Sequence, residues 1–181
     1  MVLQFAPADP KMPPLLREMH AMAVTRASVR GLSLAQASKI VDAALAEARQ
    51  RKLRPMTIAV IDAGGDLIAF KREDHTGIRR YDIAYGKAFA ALVMNRSSRA
   101  IGDIGRHNPL FIQAVIASTG SKAVPTPGGV LIKNAEGLII GAVGSSGDEA
   151  HEDEAVAVIG VKAAGLAPDR KSTRLNSSHG Y

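Results

Sequence analysis

Apolar residues recur every three or four positions from Leu34 to Lys52, in the run LAQASKIVDAALAEARQRK. This spacing places the apolar side chains on one face of a helix. Ser33, directly before the run, is a typical N-cap residue because its hydroxyl can accept a hydrogen bond from a free backbone N–H. The pattern therefore predicts an amphipathic helix here, the clearest in the chain.

Four short runs have the composition of β-strands, and they form two pairs. The first pair, 57–63 and 67–72, surrounds the turn sequence GGD, and the second, 129–132 and 138–143, surrounds NAEG. Glycine-containing turns between such runs are typical of β-hairpins. The sequence therefore predicts two hairpins, and a further strand near 122–124 stays an open alternative.

Helical spacing returns in residues 78–94, 108–119 and 149–165. Asn108 and Pro109 supply a cap and a first-turn proline to the second of these runs. Hairpins that alternate with helices in this order imply an antiparallel sheet covered by helices. We therefore predict an α+β fold.

One domain is expected over residues 31–168. Residues 1–30 are predicted to form an arm that packs across a neighbouring subunit. Residues 169–181 follow a helix-stopping segment and have no apolar periodicity, so they are predicted to be a disordered, non-native tail.

Charge and composition narrow the functional classes. The formal net charge is +6, but residues 170–181 contribute +3 and residues 1–30 contribute +2, which leaves +1 for the remainder. A near-neutral body is weak evidence for a nucleic-acid surface, so we expect no nucleic-acid partner. The absence of Cys excludes disulfides and thiolate metal sites. Since no apolar run approaches about 18 residues and the N-terminus is unlike an ordinary signal peptide, we expect a cytoplasmic protein without a membrane span.

The segment GSSGDEA, residues 144–150, has two interpretations. Glycines before a helix can present free backbone N–H groups to an anion. The carboxylates that follow, from Asp148 to Glu154, also stabilise a helix N-terminus without any ligand. His151 and Glu154 share a helix face and are both metal donors, but two ligands do not close a metal site.

Three basic or titratable residues stand out from their surroundings. Lys87 interrupts the apolar face of its helix, in AYGKAFAAL. Its ammonium group either reaches solvent past a packed stem or is a partly buried cation that faces a ligand's carboxylate. His75 and His107 lie in predicted loops, where an exposed histidine without function competes with a haem ligand or a general base.

The order and spacing of five segments resemble the GlcG/HbpS family of haem-binding and haem-degrading-type proteins. This family also includes the C-terminal domain of PduO-type corrinoid adenosyltransferases. The segments are VIDAGGDLIAFKRED (60–74), IAYGKAFAA (83–91), PTPGGVLI (125–132), GLIIGAVGSSG (137–147) and EDEAVAVIG (152–160). The resemblance covers about residues 32–166.

The resemblance implies a five-stranded antiparallel sheet with about four helices, assembled into a dimer, tetramer or octamer. It also implies haem as the expected cofactor. The pocket positions that it carries over are Arg72, Asp74, Lys87, Gly128, Gly129, Gly144, Asp153 and Glu154. The chain departs from many relatives in having Asp66 where they have a histidine, and in adding His75.

Three functions follow as hypotheses. The first is a homo-oligomer that binds haem, or another flat or acidic small molecule, near its subunit contacts. His75 or His107 would be the axial ligand of the haem iron, and Lys87 and Arg79 would pair with the propionates.

The second hypothesis is a cofactor-independent catabolic enzyme, namely an isomerase, hydrolase or decarboxylase. His75, Asp153 or Glu154 would then be the base, and Lys87 would stabilise an oxyanion. The third is an accessory subunit that stabilises a larger enzyme.

Overall fold

The computed structural model describes residues 10–17 and 31–169 of the chain. It divides into two units, Met1–Gly31 and Leu32–Tyr181. In the first unit, residues 14–17 form one helical turn, and most of the predicted arm lies outside the described residues. The second unit is described over residues 32–169.

Helices and strands alternate along the second unit much as the apolar pattern predicts. In chain order they are α1 (Leu34–Gln50), β1 (Thr57–Asp62), β2 (Leu67–Arg72), α2 (Arg80–Met94), α3 (Ser98–His107), α4 (Pro109–Ser118), β3 (Gly129–Lys133), β4 (Ile139–Ser146), α5 (Ala150–Ala163) and β5 (Ala167–Asp169). Ser33 caps α1 as predicted, and it forms a capping box with Gln36.

The five strands form one antiparallel sheet in the order β2-β1-β4-β3-β5. The two hairpins meet along β1 and β4, which pair with each other. The predicted α+β fold with a five-stranded antiparallel sheet is therefore confirmed.

Helices cover both faces of the sheet. Helices α1 and α5 pack together over one face, where the main core forms around Ile40, Ile58, Val130 and Val143. Helix α2 crosses the other face over β1, β3 and β4. The sheet thus separates α5 from α2, and polar groups near the end of β4 connect the two sides.

Close contact between α2 and the sheet depends on two glycines. A Cβ atom on Gly144 would lie 1.8 Å from the carbonyl oxygen of Ala84, and one on Gly129 would lie 2.1 Å from that of Lys87. Any larger residue would push the helix away from the strands. These glycines set the height at which α2 holds its side chains above the sheet.

Several predicted boundaries need correction. Helix α3 is absent from the predicted order, and its last residue is His107, which was expected in a loop. The fifth strand is β5 and not residues 122–124, which join no strand of the described sheet. Residues 144–146, predicted to be a turn, continue β4. Asp169, assigned to the tail, belongs to β5, and residues 170–181 lie outside the described part of the chain.

Candidate functional site

Lys87 is buried at the centre of α2. Its Nζ donates hydrogen bonds to Oδ2 of Asp153, at 2.6 Å, and to the carbonyl oxygen of Ser145, at 3.0 Å. The side chains of Lys87 and Asp153 are only 4% and 2% exposed. The ammonium group therefore points into the protein, neither reaching solvent nor facing an open pocket.

Burial governs the titration of this pair. Removal from water disfavours the charged form, so burial lowers the pKa of Lys87 and raises the pKa of Asp153. Their mutual attraction opposes both shifts. The pair tolerates burial because each group is the hydrogen-bond partner of the other.

Hydrogen bonds and ion pairs within the protein occupy the N-terminus of α5. Asp153 accepts a hydrogen bond from the backbone N–H of Asp148 through Oδ1, at 3.1 Å, and the Ser145 hydroxyl donates to the Asp153 carbonyl oxygen. Arg54 binds Asp148 and Glu149, and it lowers the pKa of Asp148 to about 2. Acidic side chains and internal hydrogen bonds thus occupy the place that one of the two interpretations assigned to a bound anion.

Glu154 points towards α3. Its Oε2 accepts two hydrogen bonds from Arg99, at 2.9 and 2.7 Å, while its buried Oε1 has no partner among the described residues. The His151 imidazole lies 3.5 Å from Glu152, whereas Glu154 is paired with Arg99. Within the described part of the chain, no three His, Asp or Glu side chains lie close enough together to hold a metal ion.

A polar row crosses the end of the sheet beneath the first turn of α2. Thr57 pairs with Arg72 on one side and with Ser146 on the other, so their three side chains lie on one face. Arg80, the first residue of α2, donates a hydrogen bond from Nη1 to the Ser146 hydroxyl, at 3.1 Å. The Arg72 guanidinium is oriented by Thr76, to which Nε donates at 2.5 Å.

The Thr57 hydroxyl in this row is buried and has no hydrogen-bond partner within the described residues. A buried hydroxyl without a partner costs free energy that a hydrogen bond normally recovers. The row thus contains a hydroxyl without a hydrogen-bond partner among the described residues, between two guanidinium groups.

Four aromatic rings form a ladder next to this row. The ring centroids of Phe70 and Tyr81 are 5.0 Å apart, those of Tyr81 and Tyr85 are 6.0 Å apart, and those of Tyr85 and Phe89 are 5.7 Å apart. Phe70 and Tyr81 are 39% and 36% exposed. Burial raises the pKa of Tyr85, whose phenol donates to the carbonyl oxygen of Gly65, at 2.9 Å. One end of the aromatic ladder is therefore open to solvent and the other is anchored.

The predicted histidines lie apart from the buried pair. His75 is exposed in the loop that joins β2 to α2, and its imidazole has no partner within the described residues. Its φ of 66° places it in the left-handed region, which few non-glycine residues adopt. His107 is also exposed, and its Nδ1 lies 3.0 Å from the carbonyl oxygen of Asp103.

Arg79 is exposed and forms an ion pair with Asp82, at 3.1 Å. It borders a shallow cleft of about 320 Å³, which also involves Ile83, Tyr85 and Lys122. Arg72 and Asp74 border a different depression, together with Glu73. The structure thus divides the predicted binding residues between several places.

The three predicted glycines lie against α2. Gly129 and Gly144 allow its close approach to the sheet, and Gly128, with a φ of 125°, lies next to the Lys87 ammonium group. A Cβ on Gly128 would be 2.9 Å from Nζ of Lys87. All three are packing positions around the buried pair in this structure.

A family model matches residues 32–162, and it describes haem degrading proteins that are HbpS-like. The chain belongs to this HbpS-like family. A relative from Citrobacter freundii, an uncharacterised 15.0 kDa protein of the dhaT–dhaS intergenic region, is 28% identical over 126 residues. The match covers 70% of this chain and 87% of the relative.

Solved structures confirm the HbpS-like fold. The PduOC complex with heme has a TM-score of 0.69 at 22% identity, and the match covers 77% of this chain and 99% of that one. Klebsiella pneumoniae ORFY also has a TM-score of 0.69 at 22% identity, with coverages of 76% and 93%. A double mutant of Streptomyces reticuli HbpS has a TM-score of 0.64 at 26% identity, with coverages of 75% and 88%.

Sequence reasoning missed the row of Arg72, Thr57, Ser146 and Arg80, apart from Arg72. Its members come from three strands and a helix, so only the register of the sheet brings them together. The aromatic ladder did leave a signal, because Tyr81, Tyr85 and Phe89 recur at intervals of four. From the sequence alone, that spacing predicts only an apolar helix face.

Proposed function

We propose that this HbpS-like protein binds haem at the open end of the aromatic ladder. The observation that carries the proposal is the exposed contact between Phe70 and Tyr81. The loop between these two residues holds the unpartnered imidazole of His75. Flat apolar macrocycles bind against aromatic and apolar side chains, with a few polar groups that fix their orientation. Family membership and the fold shared with a haem complex support the same ligand.

The residues present fit a haem group in three respects. His75 offers an imidazole as an axial ligand, exposed Ile78 adds apolar surface in the same loop, and Arg72 and Arg80 supply positive charge nearby. Haem, when bound, supplies an iron centre for ligand binding or redox chemistry. The protein's own part is to orient the macrocycle and to exclude water from one of its faces.

The contacts and positions of the candidate side chains determine which of them we assign to the haem iron and to its propionates. Tyr85 is an unsuitable iron ligand, because its raised pKa keeps the phenol protonated and its hydroxyl already donates to Gly65. His75 lies in the loop between Phe70 and Tyr81, whereas His107 is the last residue of α3, so we assign the axial position to His75. Lys87 is not assigned to a propionate, because its ammonium is buried against Asp153.

Haemin titration tests this assignment. We expect a saturable Soret band with the wild type and a shifted or lost band with His75→Ala, because removal of the axial imidazole changes the ligand field of the iron. His107→Ala tests the competing ligand, and His151→Ala is the matched control, since His151 is also exposed. The absence of any saturable band refutes haem binding. A wild-type spectrum from His75→Ala, with a changed one from His107→Ala, refutes the choice of His75.

The catalytic alternative receives no support from the buried pair. Lys87 and Asp153 have the perturbed pKa values that are common at active sites, but structural ion pairs share them. Both side chains are enclosed, so neither contacts a substrate in this conformation. The homo-oligomer that the resemblance implies stays a prediction, which sedimentation velocity on the same sample measures.

Among the described residues, no helix is both long and apolar enough to cross a bilayer.

A further inference from the structure

We propose that the row of Arg80, Ser146, Thr57 and Arg72 is a binding subsite for a carboxylate group. The carboxylate belongs either to a haem propionate or to a free small acid. The propionate source rests on the haem binding proposed above, and the free-acid source does not.

The first argument is that the Thr57 hydroxyl lacks a hydrogen-bond partner among the described residues. Its hydroxyl is fully buried, and none of the described residues is its partner. Thr57 directly opposes Ser146, whose hydroxyl accepts from the Arg80 guanidinium. Thr57 and Ser146 are the buried inner end of the row, and exposed Arg72 and partly buried Arg80 are its outer end. A carboxylate therefore contacts the guanidinium groups first, and it reaches the Thr57 hydroxyl when the Arg80 side chain shifts.

The second argument is the charge of the surroundings. Arg72 and Arg80 flank the row, and the charge of Arg80 also acts on Lys87 and Asp153. Asp153 reaches this end of the sheet from α5 but is already paired with Lys87, and Asp82 in the first turn of α2 is paired with Arg79. Glu73 is turned away, because it accepts from the backbone N–H of Met56 and pairs with Arg49. Among the described residues, the row thus has two guanidinium groups without a carboxylate partner.

The third argument is the position of α2. Arg80 is its first residue, and no side chain of the described residues caps this end of the helix. The first turn of a helix favours negative charge, which adds to the effect of the two arginines. Asp82 supplies part of that charge, and the Arg80 N–H already donates to the Gly77 carbonyl oxygen, at 3.1 Å. A planar carboxylate can accept from a guanidinium at two atoms, so this arrangement fixes its orientation as well as its charge.

The fourth argument is adjacency to the aromatic ladder. Phe70 pairs with Ala59, and Ala59 pairs with Gly144, so these residues form the next row on the same face. The carboxylate row and the open end of the ladder are therefore neighbours. A ligand with a flat apolar body and an acidic substituent fits this combination.

Spectroscopic titrations with two porphyrins test the propionate source. Haemin and its dimethyl ester differ only in whether the two carboxylates are free. We expect the ester to bind about tenfold more weakly, and Arg80→Gln and Thr57→Val to weaken haemin binding by a similar factor, while leaving ester binding unchanged. Arg106→Gln, on the exposed surface of α3, is the neutral control. Arg79→Gln tests the neighbouring arginine first expected to pair with a propionate.

A second titration tests the subsite without haem. Sodium propionate is added to ¹⁵N-labelled protein, with sodium chloride of equal ionic strength as the reference. We expect saturable shifts of the backbone amides of Thr57, Arg80 and Ser146, and their loss in Arg80→Gln.

The outcomes separate the two proposals. If haemin does not bind but propionate shifts these amides, haem binding is refuted and the subsite stands with a free acid as its ligand. If haemin and its ester bind equally in every variant, the propionate source is refuted. If propionate also leaves the amides unshifted, the subsite itself is wrong.

Discussion

At the scale of single residues, the ion pair of Lys87 and Asp153 connects two helices on opposite faces of the sheet. The partners are 66 positions apart in the chain. The contact passes the end of β4, where Ser145 supplies a third group. Its strength depends on both partners being present, because either charge alone would be buried without compensation.

Replacement of Lys87 by methionine should therefore lower the free energy of unfolding by about 3–5 kcal/mol, since Asp153 loses its partner. The double variant Lys87→Met/Asp153→Asn should be more stable than the single one, because it removes both charges. Asparagine is the choice for the second substitution because its amide oxygen can still accept from the Asp148 N–H. Urea unfolding of the wild type and the two variants measures both differences. A double variant no more stable than Lys87→Met would show that the pair is not coupled.

The sequence identified Lys87 as unusual but not its partner. A cation on an apolar helix face is visible in the spacing of one helix. The identity of the partner depends on how α2 and α5 are placed across the sheet, which no local pattern encodes. The same reason explains why Arg80, Ser146 and Thr57 were missed, since each is an ordinary residue within its own segment.

At the scale of elements, the contact of α2 with the sheet determines where the aromatic ladder and Arg80 lie. Gly129 and Gly144 permit this contact because backbone atoms of α2 occupy the space of their missing side chains. Helix and sheet are thus held at a distance that larger residues would not allow.

Gly144→Ala should destabilise the protein by at least about 3 kcal/mol, because its Cβ would overlap the carbonyl oxygen of Ala84. Gly105→Ala is the matched control. It lies within α3, where a Cβ would meet Ile112 at an ordinary 3.4 Å, so alanine should stabilise the helix by about 0.5–1 kcal/mol. Thermal and urea unfolding compare the two. If both substitutions changed the free energy of unfolding in the same direction, the packing account of Gly144 would be wrong.

Most elements were predicted from local sequence patterns, but α3 and β5 were not. Helix α1 and both hairpins follow from apolar spacing and turn glycines. Helix α3 is short and contains Gly102 and Gly105, which disfavour a helix, although its apolar and polar residues lie on opposite faces. That pattern and Ser97 at the N-cap were the overlooked signs. Strand β5 contains a proline in only three residues, and it forms because the edge of β3 pairs with it.

At the scale of the whole molecule, β5 covers one edge of the sheet. It pairs with β3, and Lys133 and Asp169 form an ion pair of 2.6 Å across this contact. An uncovered strand edge offers unpaired N–H and C=O groups to other chains. The short strand thus has a protective function out of proportion to its length.

Two truncations test this protection. A chain that ends at Asp169 should unfold like the full-length protein, since it keeps β5 and removes only the predicted tail. A chain that ends at Leu166 should lose about 1–3 kcal/mol and self-associate, because the edge of β3 is open. Thermal unfolding and sedimentation velocity provide the comparison. Identical behaviour of the two truncations would exclude a role for β5.

The pairing of β1 with β4 also has a consequence for synthesis on the ribosome. Strand β2 follows β1 directly, so one edge of β1 can pair as soon as both are synthesised. The other edge pairs with β4, which is complete only roughly 90 residues later, on the order of 5–20 s at typical translation rates. During that interval the nascent chain exposes a strand whose side chains are almost all buried in the finished protein. The first hairpin is therefore the segment for which a chaperone on the emerging chain, or a slower pause before β4, matters most.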